Sequence, residues 1–143
     1  MNLVDDTGSL VVEPDWTSLF NDELEIAAAH EHWRVISTEL RERQILSPAN
    51  AHALLRLIVA YVSFDRASRE VAENGAVMKP RRNNAKSIAR VSPWFVVMRE
   101  ASADATGLES KLGLTPRDRN AAGKVEPKKS KARARDAYFR PVA

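Results

Sequence analysis

The 143-residue chain predicts an all-α domain: two long antiparallel helices, a small β-hairpin or extended loop, a third helix and a short C-terminal helix. Three observations carry this. Long segments repeat apolar residues at three- and four-residue steps, Ser-Pro pairs stand where helices would begin, and glycines stand where they would end.

Residues 1–20 lack sustained periodicity and read as a lead-in with a short turn around Trp16–Phe20, so a flexible N-terminal unit over 1–21 is expected. Asn21 is the expected N-cap of helix one, with Asp22, Glu23 and Glu25 in a first turn where carboxylates suit the helix dipole. Ile26, Ala29, Trp33, Ile36 and Leu40 then form one apolar stripe, and helix one is placed at about 22–44.

Ser47-Pro48 opens helix two, which runs to Asn74 before Gly75 and would be roughly 40 Å long at 1.5 Å per residue. Leu54, Ile58 and Val62 make one row on it; Leu57, Tyr61, Phe64 and Val71 make another. A helix apolar over so wide an arc is normally covered from more than one side. The second cover is expected from a neighbouring copy, with Leu57, Tyr61, Phe64 and Val71 at the interface. Asp65–Arg69, Arg66–Glu70 and Arg69–Glu73 are i,i+4 pairs, each worth about 0.2–0.5 kcal/mol.

From Ala76 to Val91 the pattern turns to β-formers, with Pro80 excluding a helix and Asn83-Asn84 suited to a tight turn. Ser92-Pro93 starts helix three, whose Trp94, Val97/Met98, Ala101, Ala105, Leu108 and Leu112 keep helical spacing. Gly113 then permits a left-handed stop, Leu114 folds back, Thr115 caps and Pro116 presets the next first turn, with Asp118 closing a weak capping box. A short helix over 116–122 follows. The helical domain is thus 22–122, and 123–143 is a basic flexible tail that buries too little to fold alone.

Composition narrows the function. With no cysteine there is no disulfide framework and no thiolate chemistry. The acidic N-terminus lacks the pattern of a signal peptide, and the longest apolar run, Leu57 to Val62, is far short of a membrane span. An intracellular soluble protein is expected. The net charge of +3 conceals an asymmetry. Residues 1–46 hold 3 basic and 10 acidic side chains, 47–116 hold 10 and 6, and 117–143 hold 9 and 3. An acidic front and a basic tail point to different partners, or to one copy meeting another.

Enzyme chemistry finds little support. His30 and His32 lie about 200° apart on a helix and cannot share a metal. His52 has no i+4 ligand, and no phosphate-binding glycine loop occurs. No catalytic residue, metal site or cofactor is expected. Basic side chains are the better candidates: Lys79, Arg81, Arg82, Lys86 and Arg90 on the extended segment, and Lys128, Lys129, Lys131, Arg133 and Arg135 in the tail. Guanidinium and ammonium groups on a projecting turn and a basic arm suit phosphate contact. The plain alternative is a solvated loop and a solvated tail. A helix-turn-helix using Arg34, Arg41, Arg43 and Arg56 ranks last, given the carboxylates around it. Tyr138 and Phe139 form an apolar cluster beyond the basic run, suited to docking on a partner protein.

The box Leu112-Gly113-Leu114-Thr115-Pro116 with Arg119, about 20 residues after a polar-residue–Pro helix start and behind two long helices, resembles the small terminase subunits of tailed double-stranded DNA bacteriophages. The resemblance spans roughly 31–122. It implies a non-catalytic factor that assembles as a homo-oligomeric ring and binds double-stranded viral genome concatemers. It also implies regulation of the large terminase subunit, which holds the ATPase and nuclease, in the cytoplasm of the infected bacterial host. Where relatives often carry Asn before the third helix's proline, this chain has Ser92, which is expected to cap equally well. The alternative reading is a small helical transcription regulator binding DNA as a dimer.

Overall fold

The structure is a computed structural model of the 143-residue chain and describes residues 2–4, 10–80, 86 and 88–118. Its order is β1 (Asn2–Val4), β2 (Leu10–Val12), a 3₁₀ turn (Trp16–Ser18), α1 (Glu23–Glu42), α2 (Pro48–Asn74), β3 (Val77–Met78), β4 (Arg90–Val91) and α3 (Pro93–Lys111). The fold is all-α with a small hairpin after α2, as the sequence predicts; the N-terminal ribbon, pairing Asn2 with Val12, is an addition to that prediction.

Helix α1 begins one residue later than expected. Asp22, not Asn21, is the N-cap, its carboxylate accepting from the Leu24 N–H at 3.0 Å. The stripe Ala29, Trp33, Ile36 and Leu40 is buried, and Ile26 packs at its edge. The helix stops at a left-handed residue that is not glycine: Gln44 has φ 58°, and the Ile45 N–H returns to the Leu40 carbonyl at 2.8 Å. Ser47 caps α2 as expected, accepting from the Asn50 N–H, with Pro48 in the first turn.

Contacts fix the direction of travel. Glu25 meets Arg66 and His32 lies against Tyr61, so rising along α1 means descending α2. Tyr61 then donates to Glu109 of α3 at 2.7 Å, placing α2 between the other two helices. Leu54, Leu57, Ile58 and Val62 fill the space between them with Ala105, Leu108 and Leu112. Arg66 therefore reaches across to the buried Glu25 rather than along its own helix to Glu70.

Residues 10–20, expected within a flexible lead-in, contribute to the core instead. Val11, Trp16 and Phe20 are buried, and Trp16 packs edge-on to Trp33 with centroids 6.1 Å apart. Glu13 accepts from the Trp16 indole at 2.8 Å and pairs with His30 at 2.7 Å, fastening the segment to α1.

The corner after α3 behaves as its residues require. Gly113 is left-handed (φ 69°), the Leu114 N–H bonds to the Glu109 carbonyl at 2.9 Å and the Gly113 N–H to Ser110 at 3.1 Å. These are the paired bonds of a Schellman stop. Thr115 Oγ1 accepts from the Asp118 N–H at 3.2 Å and donates to the Asp118 carboxylate at 2.6 Å. Together with Ser110, which also donates, this holds the Asp118 acid below its ordinary range. Arg43 donates to the Gly113 carbonyl at 2.8 Å, tying the corner to the end of α1. The turn is seen through Asp118; the rest of the expected helix over 116–122 lies outside the described residues.

Two glycines in one region should respond oppositely to alanine. A Cβ at Gly107 meets nothing within 4 Å, so Gly107→Ala is expected to add about 0.5–1 kcal/mol. Gly113→Ala, forced to positive φ, is expected to lose at least about 1 kcal/mol. Urea unfolding of both variants checks the pair; a like-signed change would contradict the corner's geometry.

Candidate nucleic-acid and assembly surfaces

No carboxylate occurs between Glu73 and Glu100, a stretch that carries Lys79, Arg81, Arg82, Lys86, Arg90 and Arg99. The structure puts both ends of that stretch into an antiparallel ribbon, pairing Val77 with Val91 and Met78 with Arg90. Gly75, with φ 83°, turns the chain out of α2, and the Ser92 N–H donates to the Ala76 carbonyl at 2.9 Å. The ribbon therefore starts where α2 ends and delivers the chain to α3. Strand alternation sets Val77 and Val91 on one face and Met78 and Arg90 on the other.

Lys79, Lys86 and Arg90 are exposed here. Arg81, Arg82 and the Asn83-Asn84 tip lie outside the described residues, as do Lys128, Lys129, Lys131, Arg133, Arg135, Tyr138 and Phe139. Arg90 lies in β4, and Lys79 directly follows β3, next to the Met78 that pairs with Arg90.

One expectation about Ser92 needs correction. Its side chain is buried and makes no capping hydrogen bond, and Pro93 presets the first turn of α3.

The four apolar positions assigned to an interface divide. Leu57 is 0% exposed within this chain's own core, so it has no surface left for a second copy. Its row on α2 faces α1 and α3 more squarely than helical spacing alone indicates. Tyr61 is half-buried, leans on that core and hydrogen-bonds Glu109; burial, the hydrogen bond and the Glu109 charge push its phenol pKa up. Phe64 and Val71 are half-buried and stand outside the core cluster, so the interface reading continues on these two, with Tyr61 at their edge.

Sequence reasoning missed a second apolar surface. Leu24 and Val35 are exposed on α1, on the side opposite Ala29, Trp33 and Leu40. The signal was present in the spacing of Leu24, Ala28, Glu31 and Val35, at steps of four, three and four. Open grooves flank the bundle: one between α2 and α3 is lined by Leu55, Val59, Val97 and Ala101, with Arg56, Glu100 and Asp104 beside them.

The histidines do not converge. His30 pairs with Glu13, His32 rests on the Tyr61 ring at 5.2 Å, and His52 is exposed. Among the described residues no three His, Asp or Glu side chains form a metal-holding group. No helix among them is long and apolar enough to cross a membrane.

Three helices and a carboxylate-free ribbon segment thus make up a small, mostly helical protein. The family model for the phage terminase small subunit matches residues 29–129, and the chain belongs to that family. No curated protein and no solved structure matches it. Family membership gives it a role in phage genome packaging, in a subunit that is generally the non-catalytic one.

The two kinds of apolar residue on α2 predict different failures. Leu57→Asp is expected to unfold the chain, since it buries a charge in a closed core. Phe64→Asp is expected to keep helical circular dichroism and lower the native mass. Equal loss of helicity in both would place Phe64 in the core as well.

Proposed function

We propose that this chain is the DNA-recognition and assembly factor of a viral packaging machine, acting in the cytoplasm of the infected host. Copies assemble into a ring and grip double-stranded viral DNA through the ribbon and the basic tail. They then present that DNA to the large terminase subunit, which supplies ATP hydrolysis and cleavage. Ribbon contacts come from Lys79, Arg81, Arg82, Lys86 and Arg90, and tail contacts from Lys128, Lys129, Lys131, Arg133 and Arg135. Tyr138 and Phe139 dock on the large subunit. The chain itself performs no catalysis in this reading.

The observation that carries the reading is a family member's ribbon segment, with cations and no carboxylate from residue 74 to 99. Such a surface attracts polyanions by releasing their condensed counterions. The acidic first 46 residues would repel the same ligand, which fits a molecule oriented on DNA rather than coated by it.

Fluorescence anisotropy of labelled duplex DNA across a salt series tests this. With five to eight phosphate contacts, log affinity is expected to fall against log salt with a slope of roughly −5 to −7. Replacing Lys79 and Arg90 together by alanine should reduce that slope by about 2. A slope near zero would overturn DNA recognition. Deleting residues 137–143 should weaken capture of the large subunit and leave DNA affinity nearly unchanged; equal loss of both would reject a separate docking element.

A further inference from the structure

The groove between α2 and α3 has a volume of about 480 Å³. Leu55 and Val59 of α2, Val97 and Ala101 of α3 and Leu19 give it apolar walls. Leu19 is 49% and Val97 38% exposed, so those walls stand open to solvent. Glu100 and Asp104, one turn apart on α3, also line the groove and are exposed. Among the described residues neither carboxylate has an ion-pair or hydrogen-bond partner, and nor does the neighbouring Arg56. The groove therefore offers aliphatic surface, two unanswered acids and one unanswered cation.

Other apolar surfaces suit a basic segment less well. Val77, Met78 and Val91 are exposed in a stretch that holds no carboxylate. Beside Trp16 and Ile26, Glu13 is taken by His30 and Asp15 by Thr17. Glu31, between Leu24 and Val35 on α1, is held by Arg34. In the groove of Leu24 and Val62, Glu25 is held by Arg66, and Arg69 stands beside Asp65.

We infer that the C-terminal end of this same chain, residues 131–143, seats in the α2–α3 groove. That end carries Lys131, Arg133, Arg135 and Arg140 against a single carboxylate, Asp136, and it holds Tyr138, Phe139 and Val142 close together. Aromatic rings suit the aliphatic walls, each burying about 150–250 Å² when covered. The cations answer Glu100 and Asp104, and Asp136 answers Arg56. The tail follows the corner at Gly113, and on α3 Asp104 lies about 14 Å and Val97 about 24 Å back from it. Residues 119–138 span up to about 65 Å when extended, so the chain's own groove is well within reach. Such a seat adds a competitor to the roles proposed above and does not rest on them. While seated, Tyr138 and Phe139 are withheld from other proteins, and Arg133 and Arg135 from phosphate.

The chain contains no cysteine, so introduced pairs report the seat directly. Ser63 lines the groove, whereas Val35 is exposed on α1, whose end is tied to the corner that precedes the tail. Val35 lies only about 12 Å along α1 from Arg43, so reach alone gives it no disadvantage. The full chain is prepared as Ser63→Cys with Ala143→Cys, and as Val35→Cys with Ala143→Cys, and each is treated with a short bis-maleimide. Intact mass and denaturing electrophoresis separate links within a chain from links between chains. The expected result is an intrachain 63–143 link in several-fold higher yield than the 35–143 link. Phe139→Ser, which leaves the helices untouched, should lower the 63–143 yield several-fold. Glu100→Lys with Asp104→Lys should do the same with helical circular dichroism unchanged. A 63–143 yield no higher than the 35–143 yield, or one indifferent to Phe139→Ser, would overturn the inference. So would a 63–143 link formed readily between chains when the single variants Ser63→Cys and Ala143→Cys are mixed, since the groove would then hold a neighbour's tail.

Discussion

Helix α2 has to be covered from two directions, and the rest of the molecule is arranged to do it. Its 27 residues carry apolar side chains around most of the circumference, and α1 and α3 take opposite flanks. Leu54, Leu57 and Ile58 disappear entirely between them, which is why the corner at 43–47 is short and why the corner at 112–118 is pinned back to Arg43. The buried Glu25 adds a directional element. Its carboxylate needs the Arg66 guanidinium, and that pairing sets the register of α1 against α2 in a way that apolar packing alone would leave loose.

How much of this could be read beforehand depended on whether the cause was local. The corner after α3 was legible to the residue, because a left-handed glycine, a folded-back leucine and a Thr–Asp cap act within one turn. The Ser47-Pro48 start was legible for the same reason. Ser92 is identical by type, yet its side chain is buried and makes no capping bond, and nothing local signals that. The packing of the N-terminal segment is not legible in the sequence, because Val11, Trp16 and Phe20 have no periodicity of their own and Trp16 packs on Trp33 of α1. Arg66 was assigned to Glu70 on helical spacing, whereas its partner lies 41 residues away. Periodicity names a face, not what covers it. Leu57 shows the consequence: it belonged to the apolar arc as read, but to the chain's own interior.

The candidate site was half legible. Basic residues on the extended segment are evident from composition; the fold adds that Arg90 lies in β4, opposite Met78, and that Lys79 directly follows β3. The outward stripe of α1 is faint in the sequence, because Glu31 interrupts the apolar spacing of Leu24, Ala28 and Val35. Once the fold is known, Leu24 and Val35 stand exposed on α1, with Glu31 beside them held by Arg34.

The account depends on copies sharing the surfaces that one chain leaves uncovered. Light scattering coupled to size-exclusion chromatography, on the full chain without DNA and over a dilution series from high to low micromolar, tests that most directly. A mass of several chains that persists on dilution, with a single narrow peak, is what the account predicts. A folded chain that elutes at the mass of one copy throughout the series would contradict it.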